Sequence, residues 1–136
     1  METFFARKGE KMKQLQQDAD SFQKEMGWEI RKESYEASRE DLLNNYMLLT
    51  TEVAEVAEEF RKAFNLTNKA IQEGKTEQEA FDRAKAHVKE DVGKELADCV
   101  AYITKMANYF EINLEDSFYK KMEEVKHRKN KDVRKS

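Results

Sequence analysis

Met12, Leu15, Ala19, Phe22 and Met26 are spaced by three and four, the repeat of a single helix face, and predict a first helix that stops at Gly27, a residue suited to the left-handed position after a helix. Residues 28–37, "WEIRKESYEA", have no period and predict a connection. Ser38, three residues before Asp41, is placed to cap a second helix that runs through Leu49, Val53, Val56, Phe60 and Phe64. The stretch "NLTNKAIQEGK" at 65–75 weakens the helical signal and carries Gly74 near its end. Thr76 with Glu79 makes a T-x-x-E capping box that opens a third helix, with a stripe of Val92, Leu96, Val100, Ile103, Ala107 and Phe110. Gly93 inside that stripe predicts a kink or a close approach. Asn113 is placed to cap a fourth helix carried by Leu114, Phe118, Met122 and Val125. The pattern is that of an all-α, four-helix-bundle-like fold.

Composition agrees with long helices: there is no Pro, and with 39% charged residues the polar faces can be laced with i,i+4 pairs. A chain of 136 residues is expected to form a single helical domain over 1–136, with 126–136, "KHRKNKDVRKS", a mobile basic tail. So charged a chain gains by sharing its core with another subunit, and a homodimer or homotetramer is expected. The net charge of −3 argues against a nucleic-acid partner. Cys99, the one cysteine, permits no internal disulfide and suits a reducing cytosol. The opening "METFFARKGEKMKQ" has no apolar core of a signal peptide, and no stretch approaches the roughly 18 apolar residues of a membrane span. A soluble, cytoplasmic protein without a membrane partner is therefore expected.

The candidate chemistry lies in two acidic runs. On a helical wheel Leu49, Val53, Val56 and Phe60 fall within roughly 60°, and Glu52, Glu55 and Glu59 occupy the next sector. Glu58 points away from the core. In "KELADCVAYI", Glu95 and Asp98 lie beside the Leu96, Val100 and Ile103 seam, with Asp91 one turn earlier. Carboxylates forced together repel, and a divalent cation is the natural compensation. Oxygen donors without His or Cys select Mg²⁺, Mn²⁺ or Ca²⁺, and Mg²⁺ keeps open positions for phosphate oxygens. The plain alternative is a solvated acidic surface.

The E-x-x-E and E-x-x-D pair, in "LLTTEVAEVAEEF" and "KELADCVAYITKMA", resembles the MazG-type all-α nucleoside triphosphate pyrophosphohydrolases, a superfamily with dimeric dUTPases, dCTP pyrophosphatases and phosphoribosyl-ATP pyrophosphohydrolases. The resemblance covers residues 21–128. It implies hydrolysis of (deoxy)nucleoside triphosphates to monophosphates and pyrophosphate, as in the housecleaning of nucleotide pools, with Mg²⁺ as cofactor and Mn²⁺ as a possible substitute. Glu52, Glu55, Glu95 and Asp98 match the family's metal ligands. The chain departs from the family at Thr51, where many members have a second glutamate, in a longer separation of the two motifs, which predicts added helical structure over 65–90, and in lacking the His-Pro-Arg element of the dCTP-hydrolysing branch.

For proton abstraction from the attacking water, Glu55 is the first candidate and Glu59 the second. Lys121 and Arg128, seven apart, suit phosphate binding, with surface charge the alternative. Trp28 and Asn44 align with base-proximal residues of the dCTP-hydrolysing branch; their alternatives are a core cap and an exposed helix amide. Cys99 is expected to pack rather than react, and His87 and His127 have no partner pattern. Two further functions stay open: phosphoribosyl-ATP hydrolysis, and a non-enzymatic helical interaction protein.

Overall fold

The computed structural model describes residues 10–128, and the last part of the expected basic tail, 129–136, lies outside them. Four helices follow in order: α1 (Lys11–Met26), α2 (Tyr35–Gln72), α3 (Glu77–Tyr109) and α4 (Leu114–Lys126), with no strand among the described residues. No helix among those residues is long and apolar enough to cross a membrane. The described residues form two compact units, one from 10–30 with 104–128, the other from Arg31–Ile103.

In the second unit, α2 and α3 form an antiparallel hairpin, because Ala63 packs with Ala84 and Val88 while Glu52, earlier on α2, meets residues later on α3. Its turn is built by Gly74, whose φ of 99° lets the amides of Gly74 and Lys75 turn back onto the carbonyls of Ile71 and Ala70. The Glu79 amide then donates to Thr76 Oγ1 at 3.2 Å, the predicted cap of α3. The 65–75 segment, weak as a sequence, is helical as far as Gln72, so the long separation of the acidic motifs is filled by two extended helices.

The start of α2 differs from the expectation. Ser34 is the cap, with its Oγ accepting from the Ala37 amide at 3.0 Å. Ser38 is a buried helical residue whose hydroxyl donates to the Arg31 carbonyl at 2.7 Å. Arg31 fixes this corner by a forked contact with Asp41, Nε to Oδ2 at 3.0 Å and Nη2 to Oδ1 at 2.9 Å. Two side chains reaching back across the corner, rather than one local capping box, decide where the helix begins.

In the first unit, Gly27 takes the left-handed conformation and ends α1 as predicted. Asn113 caps α4 by accepting from the Asp116 amide at 3.1 Å. Glu10 makes no side-chain cap on α1; instead the buried Glu115 of α4 reaches over, its Oε1 accepting from the Met12 amide at 3.2 Å. Gln16, only 7% exposed, donates to Asn108 Oδ1 and the Ile112 carbonyl and accepts from the Leu114 amide.

Gly93 marks no close approach. It lies exposed within α3, and a Cβ built on it meets nothing within 4 Å. Gly93→Ala is therefore expected to stabilise the protein by about 0.5–1 kcal/mol, through reduced backbone entropy of the unfolded chain. Urea unfolding checks this, and a lower midpoint for the variant would contradict it.

Candidate metal centre

The hairpin turns an unexpected face inward. Of the α2 residues predicted as core stripe, Val53 at 55%, Phe60 at 48% and Phe64 at 55% are exposed, while Leu49 and Val56 are half-buried. Leu96, Val100 and Ile103 of the α3 stripe are exposed as well, whereas Val92 packs against the buried Ala63, Ala84 and Val88 and Ala107 is buried. Facing inward on α2 are Ser38, Asn45, Glu52 and Glu59, a polar residue every seventh position, continued by Ala63 and Leu66. On α3 the inner row runs through Ala84, Val88, Glu95 and Cys99. Both helices are thus rotated by about 80° from the orientation that would bury their apolar stripes. Glu52, Glu59 and Glu95 do not flank the seam between α2 and α3; they form part of it, while Glu55 and Asp98 are exposed.

That rotation brings Glu52, Glu95 and Asp98 together, with one carboxylate oxygen from each lying within 4.8 Å of the others. Glu52 and Glu95 are half-buried and Asp98 is exposed, so the cluster opens to solvent on one side. A hydrogen bond with Glu52 is the main force holding the Glu95 carboxyl above its ordinary range. Burial and the charges of Glu52, Asp98 and Glu59 push in the same direction. The crowding of these carboxylates disfavours the charged form of Glu95.

Three oxygen donors converging from facing helices fit a hard divalent cation, which would relieve the repulsion among these carboxylates. Cys99 lies buried beside them. Burial, then the charges of Glu52, Asp98 and Glu95, push its thiol up, so it packs as a neutral group and supplies neither a thiolate ligand nor a nucleophile near neutral pH.

The remaining candidates are distributed as follows. Glu55 stands outside the three-carboxylate cluster, exposed on α2. Glu59 faces inward but is engaged by Lys62, whose Nζ lies 3.2 Å from its carboxylate and also 3.9 Å from Asp91. Asn44 is exposed, whereas the adjacent Asn45 is 5% exposed, donates to the Asp41 carbonyl at 2.7 Å, and has no partner for its Oδ1 among the described residues. In the first unit, Trp28 sits edge-on to Phe22 with ring centroids 5.7 Å apart. Lys121 is exposed and pairs with Glu124 at 3.3 Å, and Arg128 follows the end of α4. The inward position of Asn45 and the pairing of Glu59 with Lys62 do not follow from apolar spacing, which orients α2 by Val53 and Phe60. The heptad of polar residues at 38, 45, 52 and 59 was the available signal.

No protein-family model matches the chain, and no curated protein or solved structure is significantly similar to it.

Proposed function

We propose that the chain is a Mg²⁺-dependent nucleotide pyrophosphohydrolase of the MazG type, converting nucleoside triphosphates to monophosphates and pyrophosphate. The observation that carries this reading is the convergence of Glu52, Glu95 and Asp98 from two facing helices at the motifs on which the family resemblance rests. These three residues would hold the cation, with Mn²⁺ as a substitute. When bound, it neutralises triphosphate charge and lowers the pKa of a coordinated water.

The chain's own groups divide the remaining work. Glu55 is exposed and makes no ion pair among the described residues, so its carboxylate is free to accept the proton of the attacking water. Lys62 holds Glu59 in the seam, which makes Glu59 the second candidate for that role. Lys121 and Arg128 are proposed to bind phosphate oxygens, and Trp28 and Asn44 to contact the nucleoside.

The exposed apolar rows of α2 and α3 support the second half of the proposal, that the protein works as a homodimer or homotetramer. Val53, Phe60, Phe64, Leu96, Val100 and Ile103 are large apolar side chains left exposed on two facing helices, the kind of surface a second copy could cover. The same rows also favour the competing reading of a non-enzymatic interaction protein.

A product assay separates the two. Protein with Mg²⁺ and a panel of ribo- and deoxyribonucleoside triphosphates is expected to yield monophosphate plus pyrophosphate. Diphosphate plus phosphate would refute the proposed cleavage. Folded protein without turnover on this panel or on phosphoribosyl-ATP would leave the interaction reading in its place.

A further inference from the structure

At the turn end of the α2–α3 hairpin, far from the three carboxylates, lies a groove of about 270 Å³ lined by Leu66, Lys69, Glu73, Ala80, Arg83 and His87, among others. Lys69 is about 25 Å further along α2 than Glu52 at the 1.5 Å rise of a helix, so the two places are separate. Several basic residues of the second unit pair with acids: Arg31 with Asp41, Arg61 with Glu58, Lys62 with Glu59, Lys75 with Glu79, Lys85 with Asp82 and Lys94 with Glu90. Lys69, Arg83 and His87 make no ion pair among the described residues, and neither does Glu73, although all four line one groove. The floor between them is apolar, with Ala80 at 1% exposure.

We propose that this groove binds a small phosphate monoester carrying hydroxyl groups. Arg83 offers a planar fork suited to two phosphate oxygens, and Lys69 offers a compact positive charge on the facing helix. His87 lies one turn after Arg83 on α3 and adds a ring N–H. Glu73 accepts hydrogen bonds and would repel a bare anion, so it selects a ligand that presents hydroxyl donors beside its phosphate. The inference does not depend on the pyrophosphohydrolase reading, because none of its groups belongs to the acidic centre.

The test uses ribose 5-phosphate as probe, in EDTA so that no divalent cation takes part, with chloride matching the ionic strength of every titration. Binding followed by amide chemical shifts and calorimetry is expected to be saturable and to perturb the amides around Arg83 and His87. The Lys69→Ser/Arg83→Ser variant, shown folded by circular dichroism, is expected to bind about tenfold more weakly or worse. Asp98→Asn is expected to bind as the parent does. Absence of saturable binding, equal binding by the double variant, or equal binding of ribose without phosphate would each overturn the proposal. Inorganic phosphate binding as tightly as the ester would overturn the assignment of Glu73 as the hydroxyl acceptor.

Discussion

Replacing Glu95 with Gln is expected to cost at least about 100-fold in Mg²⁺-dependent turnover while making the metal-free protein more stable. Substitutions that only touch a metal ligand's partners commonly cost 10–100-fold, so loss of a ligand belongs at or beyond the upper end of about that range. The stability gain follows from the same geometry. In the folded protein the Glu95 carboxyl is held above its ordinary range, first by the hydrogen bond with Glu52 and then by burial and neighbouring charge. A group whose folded pKa is raised contributes stability that is present below its unfolded pKa and lost as pH rises through the folded one. Near neutral pH, without metal, the Glu95 charge therefore works against folding. A glutamine amide in its place would keep a hydrogen-bond donor toward Glu52 and carry no charge at any pH. The measurements are initial rates with Mg²⁺ and thermal unfolding in EDTA from weakly acidic to neutral pH. The parent should lose stability relative to the variant as pH rises through that window, and Mg²⁺ should raise the melting temperature of the parent more than that of the variant. Unchanged turnover in a variant that still binds Mg²⁺ like the parent would remove Glu95 from the proposed centre.

Gln16→Leu is expected to destabilise the protein by about 2–4 kcal/mol, although it places an apolar residue on an amphipathic helix. Gln16 Nε2 donates to Asn108 Oδ1 at 2.8 Å and to the Ile112 carbonyl at 2.7 Å, and Oε1 accepts from the Leu114 amide at 3.0 Å. Asn108 Nδ2 in turn donates to the Gln16 carbonyl at 3.3 Å. One amide thus ties α1 to the end of α3 and the start of α4, where the chain must turn. Leucine has a similar size but leaves three polar partners without their bonds, each worth about 1–3 kcal/mol if it stays buried. Partial rehydration of the Leu114 amide and the Ile112 carbonyl keeps the expected total below the full sum. Gln17→Leu, at the exposed neighbouring position, is the control and should stay within about 0.5 kcal/mol of the parent. Denaturant unfolding compares them, and equal midpoints for the two variants would show that the buried amide network contributes nothing net.

Local chemistry was readable where a few adjacent residues decide the outcome. Gly27 ends α1, Thr76 opens α3 and Asn113 caps α4, because each supplies a backbone conformation or an oxygen to amides within three residues. Ser38 misled for the same reason in reverse. Its spacing to Asp41 suits a cap, but Asp41 is drawn to Arg31 and the Ser38 hydroxyl to the Arg31 carbonyl, so Ser34 caps instead. The candidate centre was legible in part: Glu52, Glu95 and Asp98 meet, while Glu55, read into the same ligand set, stays exposed outside the cluster.

The sequence by itself determined that the chain is helical, how many helices there are, most of their ends, and that each acidic pair shares a helix sector close to an apolar stripe. Those properties depend on the 3.6-residue period and on interactions spanning one turn. Only the tertiary structure decided which sector faces the neighbouring helix. A helical wheel fixes angles between residues of one helix and says nothing of its rotation against another. In α2 two inward-facing candidates lie about 80° apart, an apolar row through Val53 and Phe60 and a polar heptad through Asn45, Glu52 and Glu59. Small Ala63 and Ala84 allow the helices to meet on the heptad side, with Val88 completing their buried contact. That rotation places three carboxylates in one cluster and leaves Val53, Phe60, Phe64, Leu96, Val100 and Ile103 exposed.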